Sequence, residues 1–86
     1  MITFELFGVP RLRAGVRRVD CPGTTVGEAL EALALACPAL AGSVVVGPRV
    51  DPAYALSLNG ERFVTDPTVP LGPGDVLLLL SADVGG

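Results

Sequence analysis

The chain of 86 residues contains no histidine, no lysine and no tryptophan. Without histidine it cannot form a Cys–His nucleophile pair, and no two carboxylates stand at a spacing suited to acid–base catalysis. The two cysteines, Cys21 and Cys37, flank a predicted helix, which at about 1.5 Å per residue separates them by roughly 18 Å, too far for a disulfide. We therefore interpret both as packing residues, and we expect neither catalysis by the chain itself nor a metal site.

The absence of lysine removes every side-chain amine to which another copy could be joined, so we do not expect self-linked chains. All six basic residues are arginines, against nine acidic residues, and the net charge is −3. This balance disfavours nucleic-acid binding, because phosphates require a basic face. Four arginines nevertheless fall within eight positions, at Arg11, Arg13, Arg17 and Arg18. They form either the solvated rim of a turn or a docking patch for an acidic partner.

Half of the residues are hydrophobic, yet apolar runs such as "VLLLL" are much shorter than the roughly 20 residues that cross a bilayer. The first residues, "MITFEL", lack the basic region and apolar stretch of a signal peptide. We therefore expect one cytoplasmic domain with no membrane contact. Its few aromatic residues leave the core to leucine, valine and alanine.

The N-terminal segment predicts a hairpin of two strands. In "MITFELFG", Ile2, Phe4 and Leu6 alternate with residues of the opposite face, as in a half-buried strand. "VPRLRAG" is typical of a turn and "VRRVD" of a second strand. We expect Pro10 and Gly15 to bracket the turn between them.

A helix is predicted next. It begins with a capping box, in which Thr25 and Glu28 each satisfy the other residue's backbone N–H. Pro38 ends it. Apolar residues recur on one face at helical spacing: Val26, Ala29, Leu30, Leu33, Ala34 and Cys37. This pattern indicates an amphipathic helix that lies across a sheet.

The C-terminal half begins with an irregular connector, residues 42–54, in which "SVVV" could be a short edge strand. Asn59-Gly60 between two alternating segments is a strong hairpin signal. "VLLLLSA" is apolar at consecutive positions, as is typical of a central strand covered on both faces. Because the first and last strands are the most apolar, we expect both in the middle of the sheet, as parallel neighbours.

Four stretches resemble the ubiquitin-like β-grasp sulfur carriers, the family of the molybdopterin-synthase small subunit (MoaD) and ThiS: "ITFELFG", "TTVGEALEAL", "SLNGERF" and "VPLGPGDVLLLLSADVGG". The resemblance covers almost the whole length and implies an α+β fold, with a mixed sheet of four to five strands and one main helix packed across one face. It implies a β-grasp domain over residues 1–80 and a flexible C-terminal tail over 81–86 that ends in Gly-Gly. The tail lacks the proline-rich approach common in molybdopterin-type carriers, so the pathway stays open.

The resemblance also implies a chemistry for the tail. In this family an activating enzyme uses ATP to adenylate the terminal carboxylate, and sulfur then displaces AMP to leave a thiocarboxylate. Gly86 would be the adenylated, sulfur-carrying residue, with Gly85 beside it; no cofactor is bound permanently. The implied partners are the activating enzyme and a sulfur-accepting enzyme, such as a molybdopterin-synthase large subunit or a cysteine-synthase-like enzyme.

Phe7 and Leu80 are the main predicted partner-binding residues. Phe7 points away from the apolar face of the first strand, and the resembled fold implies that Leu80 also faces outward. They would form one exposed patch beside the tail, unless the 42–54 connector covers them. Asp83 and Val84 of the tail are further candidates for docking contacts.

Two other functions are compatible with the sequence. A ubiquitin-like modifier, joined through Gly86 to lysines of other proteins, would use the same adenylation chemistry. A β-grasp binding module, in which the Gly-Gly is incidental, would keep its activity after deletion of both glycines.

Overall fold

Within residues 1–82, the alternating N-terminal residues form the first of seven strands, which are combined with two helices and a short 3₁₀ turn. The structure is a computed structural model that describes residues 1–82. In chain order the elements are β1 (Ile2–Leu6), α1 (Val9–Ala14), β2 (Arg18–Cys21), α2 (Val26–Ala36), the 3₁₀ turn (Pro38–Leu40), β3 (Val45–Val46), β4 (Arg49–Val50), β5 (Tyr54–Leu58), β6 (Arg62–Phe63) and β7 (Val76–Ser81).

Five strands form one mixed sheet in the order β2-β1-β7-β5-β6. β1 and β7 are parallel neighbours, with Phe4 opposite Leu77 and Leu6 opposite Leu79. These four side chains are buried in the core, and the remaining strand pairs of this sheet are antiparallel. The prediction of parallel terminal strands inside a mixed sheet is therefore confirmed.

The main helix, α2, packs its apolar face into this core. Val26, Leu30 and Leu33 are buried, and the helix ends at Ala36, before Pro38, as predicted. The capping box differs in one bond. The Thr25 hydroxyl accepts the Glu28 N–H at 3.2 Å, but the Glu28 carboxylate accepts the N–H and hydroxyl of Thr24, both at 2.8 Å.

The turn predicted over residues 9–15 is in fact the short helix α1 (Val9–Ala14), so that prediction was wrong. Pro10 lies in its first turn. Backbone N–H groups there have no partner within the helix, so proline, which lacks an N–H, costs no helical hydrogen bond. Gly15 caps the other end with φ 75°, and its N–H donates to the Arg11 carbonyl at 2.9 Å. Proline and glycine therefore bracket a helix here rather than a turn. The strands on either side, β1 and β2, pair as expected.

The connector 42–54 contains the small antiparallel pair β3–β4. Its Val44 and Val45 are buried in the same core as Leu40 of the 3₁₀ turn. The pair lies against α2 and β5. "SVVV" therefore contributes one strand of a separate two-stranded sheet and covers one end of the core.

The Asn59-Gly60 hairpin joins β5 to β6, as predicted. Both residues have positive φ, 57° and 70°, which is the pattern of a type I′ turn. The Asn59 side chain also accepts the Val76 N–H at 2.8 Å and donates to Asp75 at 3.1 Å. The hairpin is thereby tied to the start of β7.

The final strand departs from its prediction in one respect. β7 was expected to be covered on both faces, but Leu77 and Leu79 are buried while Leu78 and Leu80 are only half-buried, since α2 packs on one side of the sheet. The strand extends to Ser81, within the predicted segment "VLLLLSA". No helix in residues 1–82 is long and apolar enough to span a membrane.

Candidate functional site

The sheet carries an apolar surface on the face opposite α2. Four large side chains contribute to it, and we call them the open-face patch: Phe7, Phe63, Leu78 and Leu80. Phe7 is 45% exposed and Phe63 is 68% exposed, while the two leucines are half-buried. An uncovered group of large apolar side chains is typical of a protein-binding surface.

Phe7 and Leu80 lie side by side at one end of this patch. The Phe7 N–H donates to the Leu79 carbonyl at 3.0 Å, which continues the parallel register of β1 and β7 by one residue beyond Leu6. Phe7 is therefore next to Leu80, and Leu80 is opposite Ala55 on the other side. The exposure of Phe7 shows that the 42–54 connector does not cover it.

Phe63 and Leu78 were not among the residues predicted for this surface. Ser57 links them, because it is opposite Phe63 in one strand pair and opposite Leu78 in the other. The Asn59-Gly60 turn fixes the first register and could have identified Phe63 as an outward residue. The second register joins residues far apart in the sequence and required the three-dimensional structure.

The patch lies beside the point where β7 ends. The Ala82 N–H donates to the Ala53 carbonyl at 2.9 Å, which attaches the chain to the loop before β5. The predicted tail residues Asp83, Val84, Gly85 and Gly86 lie outside the described residues.

The arginine cluster adjoins the same end of the sheet. Arg11 and Arg13 lie on α1, Arg17 directly precedes β2 and Arg18 begins it, and all four are exposed. A shallow groove that includes Phe7 runs between Arg11 and Arg18. The cluster is therefore on a helix and an edge strand, not on the turn that the sequence predicted.

Neither cysteine is a candidate nucleophile. Burial raises the pKa of the Cys21 thiol to about 11, with further contributions from Cys37 and Asp20. Burial also raises the pKa of Cys37, and both thiols are free. Both cysteines belong to the buried core, in which α2 packs against β2. Within residues 1–82 no cluster of potential ligands could hold a metal ion.

A mixed five-stranded sheet with parallel terminal strands inside it and one main helix across one face defines a ubiquitin-like β-grasp protein. No protein-family model and no curated protein sequence matches the chain. The chain does match several solved structures. SAMP1 from Haloferax volcanii is 34% identical, with 99% of this chain and 98% of that chain covered and a TM-score of 0.78.

Two more distant structures share the fold. SAMP1 from Methanosarcina acetivorans, a small archaeal modifier protein, is 21% identical over 99% of this chain and 95% of that one, with a TM-score of 0.81. A chain of the BexX/CysO complex from Amycolatopsis orientalis is 20% identical over the full length of both chains, also with a TM-score of 0.81. By its identity to SAMP1 from Haloferax volcanii, the protein belongs to the family of ubiquitin-like β-grasp small modifier proteins, which is consistent with a MoaD/ThiS-like protein.

Proposed function

We propose that the protein is a sulfur carrier, a cosubstrate whose terminal glycine is activated and sulfurated by a partner enzyme. The main support for this proposal is the position of β7, the central strand of the sheet. β7 ends at Ser81, beside the open-face patch, and the sequence reaches Gly86 five positions later. Because an extended chain spans at most about 3.3–3.6 Å per residue, these residues reach at most roughly 17 Å into a partner's active site.

The tail suits the chemistry that an activating enzyme would perform with ATP. An oxygen of the Gly86 carboxylate, which is ionised at neutral pH, attacks the α-phosphorus, and pyrophosphate leaves. A sulfur nucleophile supplied by the enzyme then attacks the acyl carbon and AMP leaves, so that the terminus becomes a thiocarboxylate. Glycine leaves that carbon unhindered and cannot racemise when activated, and Gly85 permits backbone conformations closed to other residues.

The open-face patch would hold the activating enzyme and the sulfur acceptor in turn. Phe7 and Leu80 would contact both partners next to the tail, and Asp83 and Val84 would contact the entrance of the active site. The acceptor would be a molybdopterin-synthase large subunit, a cysteine-synthase-like enzyme, or an enzyme of thiamine or specialised biosynthesis.

We also propose that the protein works in the cytoplasm, without nucleic acid or membrane partners. Two buried free thiols suit a reducing compartment, and the net charge of −3 disfavours phosphate binding.

The first test is intact mass spectrometry after incubation with a candidate activating enzyme, ATP and a sulfide source. The mass of the untreated protein first establishes that Gly86 carries the free carboxylate. After incubation we expect a gain in mass that matches replacement of one oxygen by sulfur. The control is the Gly86 deletion, which should fold and melt like the parent protein yet gain no mass. Equal mass gain by the deletion variant would refute the proposal.

A ubiquitin-like modifier is a second candidate, favoured by the 34% identity to SAMP1 from Haloferax volcanii. Conjugation can be detected by a specific signature. Because the last trypsin site is Arg62, digestion would leave residues 63–86 attached to a target lysine. A Val84→Arg variant would shorten this remnant to Gly-Gly. Target lysines that carry the long remnant with the parent protein and Gly-Gly with the variant would establish conjugation. The absence of both adducts would favour the carrier.

A further inference from the structure

The outer edge of β2 has backbone groups that no strand in the described part of the chain pairs with. β2 lies at one end of the sheet and pairs only with β1. The Leu6 N–H donates to the Arg17 carbonyl at 2.8 Å, and paired residues alternate in an antiparallel ladder. Arg17, Val19 and Cys21 therefore direct their backbone groups toward β1, whereas Arg18 and Asp20 direct theirs outward.

A groove runs alongside this edge, between β2 and the end of α2. Apart from Arg18 its lining residues are apolar, and they include Val16, Val19, Cys37 and Pro38. Val19 lies on the helix-facing side of the strand, opposite the buried Phe4. A strand added to β2 would therefore direct every second side chain over this groove.

Two of the clustered arginines, Arg17 and Arg18, lie at this edge, and Arg11 of α1 lines a neighbouring groove with them, although the whole chain is acidic. Arg18 borders the groove itself, and Arg17 precedes it at the start of the strand. Two carboxylates are close: Glu5 is opposite Arg18 in the ladder, and Asp20 accepts the Thr3 hydroxyl at 2.8 Å. Two carboxylates against three guanidinium groups leave this edge with an excess of positive charge.

We propose that the free edge of β2 binds an extended, acidic segment of a partner protein by strand addition. The segment's backbone pairs with the outward groups of Arg18 and Asp20. Its alternate apolar side chains cover the groove, and its Asp and Glu side chains meet the arginines. This surface is separate from the open-face patch, and the inference does not depend on the proposed sulfur-carrier function.

An extended peptide fits these observations better than a nucleic acid does. Arginines alone would attract any polyanion. A phosphate chain could accept from the outward N–H groups, but it has no use for the outward C=O groups or the apolar groove, whereas a peptide strand uses all three. The three features together therefore select an alternating acidic and apolar peptide.

The probe for this proposal is the labelled synthetic peptide Asp-Val-Glu-Ile-Asp-Val-Glu, with Lys-Val-Lys-Ile-Lys-Val-Lys as its control. Binding to the full chain is measured by fluorescence anisotropy, and its location by shifts of the backbone amide signals in NMR spectra. We expect saturable binding of the acidic peptide, weakened by salt, with shifts at β2 and residues 36–39. Shifts confined to β6 or to the open-face patch would overturn the proposal, as would equal binding of the lysine peptide.

Two matched pairs of variants separate the backbone contribution from the charge contribution. Asp20→Pro removes an outward N–H without breaking the ladder to β1, while Asp20→Ala removes the same side chain and keeps that N–H. Arg18→Glu and Arg62→Glu make the same charge change on opposite edge strands. We expect Asp20→Pro to bind the acidic peptide about tenfold more weakly than Asp20→Ala does. We expect the same difference in affinity between Arg18→Glu and Arg62→Glu, with Arg18→Glu the weaker binder.

Equal affinities within either pair would refute strand addition with charge recognition. Amide spectra verify the fold of each variant, and if Asp20→Pro does not fold, the arginine pair and the shift map decide. A single-stranded oligonucleotide of the same charge serves as competitor. Displacement of the peptide at equal concentration would show a general polyanion site and overturn the proposal.

Discussion

Phe7→Asp offers the sharpest test of whether the open-face patch binds partners. Full burial of a phenylalanine side chain stabilises a protein by about 1.5–3 kcal/mol. Since Phe7 is 45% exposed, its loss should lower the free energy of unfolding by no more than about 1.5 kcal/mol. Its N–H can still donate to Leu79, because the backbone is unchanged. By contrast, Phe4→Ala removes a fully buried ring and should cost about 3–5 kcal/mol.

The effect on partner binding should be larger than the effect on stability. An aromatic residue at the centre of an interface contributes about 2 kcal/mol or more, which corresponds to roughly a 30-fold loss of affinity. The assay is kcat/KM for sulfuration by the activating enzyme, measured together with urea unfolding. Phe63→Asp is the matched control, because Phe63 lies on the same face but farther from the tail. We expect Phe7→Asp to raise KM more than Phe63→Asp does.

Two results would contradict this reasoning. Parent-like sulfuration by Phe7→Asp would show that the patch near the tail does not contact the enzyme. A loss of stability as large as that of Phe4→Ala would show that Phe7 belongs to the core.

Two further predictions concern stability. In Gly23→Ala the new Cβ would lie 2.8 Å from the Ala29 backbone nitrogen, at a residue with φ +152°, so we expect the free energy of unfolding to fall by about 3 kcal/mol. In the control Gly42→Ala the new Cβ meets nothing within 4 Å, so we expect a loss of about 1 kcal/mol from the backbone conformation alone. Equal melting temperatures of the two variants would contradict this prediction. The Gly72 N–H and then the Asn59 amide lower the pKa of Asp75. This carboxylate therefore stabilises the fold above its unfolded pKa of about 3.9 and ceases to do so as the pH falls through its lower folded value. The difference in free energy of unfolding between the parent and Asp75→Asn, measured in urea, should therefore shrink as the pH falls from 7 to 3. A constant difference would refute this prediction.

The elements with strong local signals could be predicted from the sequence. Alternation in β1, helical spacing in α2 and the left-handed pair Asn59-Gly60 each depend on residues close together in the chain. Their order and apolarity were enough to predict the parallel β1–β7 pair, which the structure confirms.

The sequence did not predict features that depend on distant contacts or on ambiguous residues. Pro10 and Gly15 mark the ends of a short helix as readily as those of a turn, so α1 was missed. The leucines of β7 are identical in type, and only the side on which α2 packs separates the buried Leu77 from the half-buried Leu78. For the same reason the open-face patch could be predicted only in part.

The parallel pairing of β1 and β7 has a mechanical consequence. The first strand begins near the N-terminus and β7 is the last strand described, and they run side by side in the same direction. A force applied between Met1 and Ala82 would therefore slide the two strands past each other. Their hydrogen bonds would bear the load together instead of opening one at a time. The rate of forced unfolding, which follows the unfolding barrier, should be far lower for this pulling direction than for a pull that peels β6 from β5.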